Sequence, residues 1–491
     1  MKKLILLLCI NLIFTLSESD IQDFDKFYKP KDFSQMDMFD SESRFSFHRY
    51  NQSEHFFIFW EQGFGEDPNS DSLPKNLRVD IEELLDKLEL FYNTNIEYAT
   101  FAILGEGKTY LDLYKMEVFL LYQEEWIASG TGYDDVIGVI YINPTAIKPI
   151  GSVLAHEVGL AFQYQVYCDQ VYQKLTEPEA YMSGFRYGNE AKNGGNSFWQ
   201  QTAQWQAFQD FPDEMFYGWT FHDWPLNNHR HFEHELMRYS SYWLLIYWAE
   251  KYGEPLVGNI WRSSRYPEDA IDTYMRIYTN YSYSILREEL FDYAIKIATY
   301  DLDTLRVYST EFVDQYNTTF YKNGEYYQVA YKNCPGATGF NVIQLDLPDL
   351  EGDRNIIVDF VGLEPGTELA PDDPGEFLRE DGYGGTVRFY NKVNRENVGW
   401  RYGFVTIDND DSRTYSEVFD QNKMSANFEV PITAKKLFFV VQGSPETYIK
   451  TIWDDKETTD AQFPYKIKLV NTSLKVKKNN QKKESLMVKI Y

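Results

Sequence analysis

Cysteine is scarce in this chain. Of three in 491 residues, Cys9 lies in an apolar leader. That leaves Cys168 and Cys334, which can form a single disulfide or stay as two buried thiols, and sequence cannot pair them. Basic residues are the minority, with 47 Lys and Arg against 75 Asp and Glu and a net charge of −28. Phosphate binding needs clustered Lys and Arg, so nucleic acid is excluded as a partner. Long apolar runs are missing after the first 19 residues. In those 19, "MKK", "LILLLCINLIF" and "SES" have the charge, the apolar stretch and the small-residue exit of a signal peptide, residues 1–19. That run is too short to span a bilayer permanently, so the expectation is a secreted, extracellular protein with no membrane span. A Walker loop, a dinucleotide-binding fingerprint, a nucleophile-elbow serine and any internal repeat are also missing.

What the chain does have is globular. Hydrophobic residues make up 43% and charged residues 25%, and the length calls for more than one domain. Aromatic residues reach 17%, enough to fill cores and still leave rings exposed as platforms for sugars or partner proteins. Residues 20–47 are polar and acidic and read as an N-terminal extension. Residues 48–306 mix strand and helix signals: "HFFIFW", "KMEVFLLY" and "GVIYIN" are strand-like, and Val79, Ile81, Leu84, Leu85, Leu88 and Phe91 have helical spacing. "SFWQQTAQWQAFQDF", "HELMRYSSYWLLIYWAEKYG" and "ILREELFDYAIKIATYDL" then keep a period of 3.6. From 307 to 470, eight short alternating runs separated by Gly, Pro, Asp and Asn predict an all-β, jelly-roll-like sandwich. Residues 471–491 form a Lys-rich tail, read as solvated. The fold class expected is therefore α+β followed by all-β.

One helix carries the chemistry. "SVLAHEVGLAFQYQVY", Ser152 to Tyr167, contains His156-Glu157. In a His-Glu-x-x-His zinc helix, residues i and i+4 share a face, so two imidazoles reach one ion while the Glu serves as general base toward the metal-bound water. Here the second histidine position holds Leu160, which cannot ligate. A His-Glu pair alone is weak, since His234-Glu235 is another. Context strengthens His156: its helix follows "GVIYIN" by a short loop, and it is apolar nearly all round, which predicts burial.

With these residues in view, the stretch from about His55 to residue 470 resembles a family of secreted zincin-like proteins of gluzincin type, with a C-terminal β-sandwich. The resemblance rests on "EHFFIFWEQGFGEDP", "SVLAHEVGLAFQYQVY", "FWQQTAQWQAFQDFP" and "GWRYGFVTID". It implies a zinc helix of form A-H-E-x-G-H-x-F-Q. This chain keeps Ala155, His156, Glu157, Gly159, Phe162 and Gln163 and departs at Leu160. It further implies an acidic third ligand in "FW-x-x-x-A-x-W", where this chain has Gln200 and Gln201. A Gln oxygen can coordinate but brings no charge to offset Zn²⁺, so a working zinc–hydroxide centre is not expected.

Other residues could supply a metal site. His229, His231 and His234 cluster in "NNHRHFEHE", with His231 and His234 three apart, on one face if helical. Glu177, Glu179 and Glu190 are further downstream carboxylates. Calcium could bind in the sandwich at Asp372 and Asp373, at Asp408, Asp410 and Asp411, or at Asp454, Asp455 and Asp460, though plain acidic loops fit these runs better. Asn51, Asn280, Asn317 and Asn471 are glycosylation sequons. The functional expectation is a metallopeptidase homologue, impaired or inactive, acting on or binding a protein substrate. The alternative is a non-catalytic binder of glycan or glycoprotein on the same fold.

Overall fold

The computed structural model describes residues 16–175, 185, 197–378, 384–451 and 457–475. Most of the leader, most of the Lys-rich tail, and Glu177, Glu179, Glu190, Asp454 and Asp455 lie outside the described residues. The chain is α+β: a mixed sheet, a helical region behind it, and then two larger antiparallel sheets with a two-stranded antiparallel ribbon beside them in sequence. No described helix is long and apolar enough to cross a membrane.

The first sheet is built from β1 (Tyr50–Gln52), β2 (Phe56–Trp60), β3 (Met116–Leu120), β4 (Ala128–Tyr133) and β5 (Ile137–Ile142), in the order β1-β2-β3-β5-β4. Strands β2, β3 and β5 are parallel, and β4 returns antiparallel to form the edge. Every residue of "FFIFW" and "MEVFL" is buried, because both faces of the sheet are covered. One cover is helical, α1 (Ile81–Asn93) and α2 (Ser152–Tyr172). Helix α1 starts where Asp80 accepts from the N–H groups of Glu82 and Glu83 at 3.1 Å. The other cover is a correction to the sequence reading of residues 20–47 as a lead-in. Phe27 and Phe47 pack on Phe57 and Phe59, and Phe45 packs tilted against Phe119 with ring centroids 4.7 Å apart. Apolar rings spaced through a polar stretch bury themselves, and burying each contributes roughly 1.5–3 kcal/mol.

The helices after α2 are α3 (Ser197–Asp210), α4 (Gly218–Asn227), α5 (Trp243–Tyr252), α6 (Pro255–Arg262), α7 (Ala270–Tyr278), α8 (Tyr283–Ile297) and α9 (Asp303–Ser309). The long helix expected across "HELMRYSSYWLLIYWAEKYG" forms only from Trp243. Before it, residues 231–240 make turns around a short 3-10 segment, Glu235–Met237, because His234 caps it with its own ring nitrogen.

The last region contains β6 (Phe320–Asn323), β7 (Tyr326–Val329), β8 (Phe340–Leu345), β9 (Asn355–Gly362), β10 (Glu376–Leu378), β11 (Gly384–Thr386), β12 (Trp400–Asp408), β13 (Arg413–Tyr415), β14 (Lys423–Glu429), β15 (Ala434–Gly443) and β16 (Tyr465–Val470). Two antiparallel sheets, β13-β12-β15-β8 and β14-β9-β16-β7-β6, share one core. Phe360 of one stacks on Tyr402 of the other at 4.1 Å, and Phe404 stacks on Phe428 at 5.3 Å. The first of these sheets is covered on both faces. Leu437, Phe439 and Val441 point into the shared core, while Phe438 and Val440 join the helical core. Period-2 alternation with both faces buried explains the unbroken apolar run "LFFVV".

Candidate functional site

Helix α2 is the floor of a cleft of about 830 Å³, and glycines set how close its neighbours come. A Cβ on Gly130 of β4 would sit 2.0 Å from the Glu157 carbonyl oxygen and 2.7 Å from the Leu160 Cβ. Only glycine lets the edge strand lie that near the helix. On the other flank, a Cβ on Gly159 would sit 2.7 Å from Gln206 Oε1, so Gly159 admits α3 to the same helix. The cleft therefore lies where β4, α2 and α3 converge, and α3 and α4 close it with Phe208, Tyr217 and Thr220.

His156, Glu157, Leu160 and Gln200 all line this cleft. His156 is held at both ring nitrogens: Nδ1 lies 2.7 Å from Gln204 Oε1, and Nε2 lies 2.8 Å from Gln200 Oε1. Tyr239 stands beyond the ring at 6.0 Å between centroids. Glu157 Oε2 accepts from the Gly130 N–H at 2.6 Å. Burial lifts the Glu157 carboxyl above its ordinary range, while the nearby His156 and that N–H oppose the lift. Gln201 does not reach the cleft. One residue on from Gln200, it is turned about 100° round the helix; it is fully buried and donates to the Phe232 carbonyl at 2.6 Å. Sequence reasoning missed Gln204, although its position four after Gln200 puts both on one helix face. It also missed β4, because "ASGTGY" reads as a glycine-rich loop.

These residues do not fit a zinc ion. Zinc in a hydrolase takes three protein donors and a water, with thiolate, imidazole or carboxylate the usual donors. The cleft offers one imidazole whose two nitrogens are already engaged, two neutral amides, a carboxyl tied to a strand N–H, and an aliphatic side chain at the fourth-residue position. Such a donor set supports no hydrolytic step through a bound metal.

The second histidine group lies elsewhere, between the helical region and the last two sheets. His229, His231 and His234 line a small cavity there with Glu457 and Asp460, not the His156 cleft. His231 and His234 share no helix face. Each instead accepts, through Nδ1, the N–H two residues on: Glu233 at 3.0 Å and Leu236 at 3.1 Å. A neutral ring with its Nδ1 lone pair spent carries its proton on Nε2. Burial, helped by neighbouring His234, pushes His231 down to about 3. His234 Nε2 faces Asp460 Oδ2 at 3.2 Å, and Glu457 accepts from Arg230 Nη1 at 2.6 Å. Donor atoms of His234, Glu457 and Asp460 do converge within 4.8 Å. Arg230 gives the cluster its cation and His234 Nε2 a donor toward Asp460, so these groups tie the helical region to the last two sheets.

The acidic residues considered for calcium have local partners. Asp373 accepts from the N–H groups of Tyr331 and Gly375 at 2.8 and 2.9 Å. Asp408 accepts from the Thr406 and Thr414 hydroxyls, Asp410 from Ser412, and Asp411 pairs with Lys435. Asp372 is exposed beside Asp373. Cys168, on α2, and Cys334, which lines the small cavity, are both buried and no disulfide joins them, so the pairing left open by the sequence is not formed. Of the sequons, Asn280 and Asn317 are exposed. The Asn51 amide donates to Glu82 at 2.8 Å, and that of Asn471 donates to the carbonyls of Asp353 and Asn355.

One family model spans residues 20–476, that of a family of unknown function, DUF6055. No curated protein and no solved structure matches the chain.

Proposed function

We propose that this chain, which belongs to the DUF6055 family of unknown function, is an exported zincin-like protein with a jelly-roll-like C-terminal half, whose peptidase-like cleft binds a ligand without a catalytic zinc. The observation that carries this reading is His156 clasped by Gln200 and Gln204, with Leu160 where a second imidazole would stand. A zinc-holding histidine keeps one nitrogen for the metal and gives the other to an orienting partner. Here both nitrogens have orienting partners. Support for the zincin-like comparison comes from the order of parts: an antiparallel edge strand beside a buried His-Glu helix, and a second helix packed on it. Such likeness is analogy, and the site itself has to carry the function.

The test is the metal content of the purified full chain after dialysis without chelator. The expected result is zinc far below one equivalent, with no loss of folded protein on adding EDTA. A full equivalent of zinc, removed by EDTA together with a peptidase activity, would overturn the reading.

A further inference from the structure

The lining of the His156 cleft names a class of ligand. Among the described residues that line it there are two carboxyl groups, Glu157 and Glu214, and no Lys or Arg, and the His156 ring faces the two glutamines, so the lining does not favour an anionic ligand. An extended peptide adding to β4 would need the outward N–H of Gly130, and Glu157 already takes it. Two rings at the cleft stay largely open to water: Trp126, 47% exposed, and Tyr217, 65% exposed. Trp126 comes from the approach to β4, Tyr217 from the start of α4. Exposed rings at a concave site offer flat apolar faces with a polar edge.

The two glutamines add polar groups in fixed orientation. When the His156 ring is doubly protonated, both Oε1 atoms accept from it and both NH₂ groups face away. When the ring is neutral, one amide turns its NH₂ to the bare nitrogen and offers its oxygen instead. No described protein group takes up those NH₂ donors. In either state the cleft holds preoriented amide donors, with or without an acceptor. Sugar hydroxyls pair with both kinds.

We propose that this cleft is a carbohydrate site for a neutral β-linked oligosaccharide of glucose, N-acetylglucosamine or xylose configuration. Such pyranoses carry equatorial substituents, which leaves C–H faces to stack on Trp126 and Tyr217. Gln200 and Gln204 bind the hydroxyl groups, and His156 is a positioning residue that orients both amides. The assignment rests on the reading that the cleft is not a zinc centre.

The experiment titrates cellohexaose, chitohexaose and xylohexaose into the EDTA-treated full chain by calorimetry, with unfolded casein peptides in a parallel cell. Saturable binding of at least one hexasaccharide is expected. Trp126→Ala and Tyr217→Ala should each weaken it by about tenfold or more, as truncation of an aromatic anchor does, while the melting temperature stays put because both rings are exposed. His156→Ala should weaken binding and added imidazole should restore it, whereas a merely structural role would not be rescued by imidazole. Absence of binding to all three sugars, binding indifferent to both ring truncations, or binding of casein peptides alone would each overturn the proposal. Zinc is measured on a portion of the same preparation taken before EDTA is added. A metal-free chain that ignores sugars sinks the carbohydrate assignment only, while a chelatable equivalent of zinc sinks the reading beneath it.

Discussion

Changing Leu160→His together with Gln200→Glu supplies the cleft with what it lacks for zinc. The apo variant should lose stability. Leu160 is 9% exposed, so removing its burial costs roughly 2 kcal/mol, while Gln200→Glu keeps an oxygen that accepts from His156 Nε2. Zinc should then restore what was lost. With two imidazoles at i and i+4 and a carboxylate from α3, metal present at 100 times its Kd stabilises by about 2.7 kcal/mol. Leu160→His alone keeps the neutral amide at residue 200, and should bind at least about 10–100-fold more weakly, taking the loss of a supporting group as the lower bound. Thermal unfolding with and without zinc, paired with metal analysis, separates the three proteins. The natural chain should melt at one temperature in both buffers, and the double variant should melt lower without zinc and recover with it. Equal zinc stabilisation of the natural chain, or a folded double variant that takes up no zinc, would refute the geometry assigned to His156.

Other perturbations test the supports of the cleft. Gly130→Ala should cost about 3 kcal/mol or more, because its Cβ would meet backbone of α2 at 2.0 Å and strand and helix must part; urea unfolding beside Ser129→Ala measures it. Arg230→Ala strands Glu457 in a buried pair whose side chains are 8% and 7% exposed, and a loss of about 3–5 kcal/mol is expected. Arg230→Leu with Glu457→Leu should recover much of that loss in the same unfolding assay. Burial raises Asp169 from 3.8 to about 7 despite bonds from Gln165, Thr109 and Tyr110. The folded state therefore holds a proton that the unfolded state has released, and this group's contribution, complete below pH 3.8, is lost as pH rises to about 7. Relative to Asp169→Asn, the natural chain should lose stability across that window at up to about 1.4 kcal/mol per pH unit. Parallel pH curves for the two proteins would refute the assignment.

Much of the scaffold could be read in advance. The apolar spacing from Ile81 to Phe91 became α1, and "HFFIFW", "KMEVFLLY" and "GVIYIN" became β2, β3 and β5. Of the eight runs after residue 307, seven mark β7, β8, β9, β12, β14, β15 and β16, while "GTVRFYN" contributes only the end of β11, Gly384–Thr386. These succeed because burial on one or two faces leaves a period in the residues. Edge strand β4 left none: its glycines answer to the closeness of α2, and Gly130 meets Glu157 across 27 residues of chain. Gln200 and Gln201 looked equivalent on paper, yet one turns to His156 and the other to the Phe232 carbonyl. His231 and His234 had metal-ligand spacing only on a helix, and the backbone there turns instead.

From the residues alone came the mixed α+β character, the series of short strands after residue 307, the buried helix of His156, and the aliphatic Leu160 four residues after it. Each of these is a local property, written in periodicity or in the chemistry of one side chain. Folding supplied the rest: the strand that lies against Glu157, the second glutamine on His156, the open rings of Trp126 and Tyr217, and the separation of the His231 and His234 cluster from the cleft. Those depend on which faces of distant elements meet, and no run of neighbouring residues encodes such a meeting.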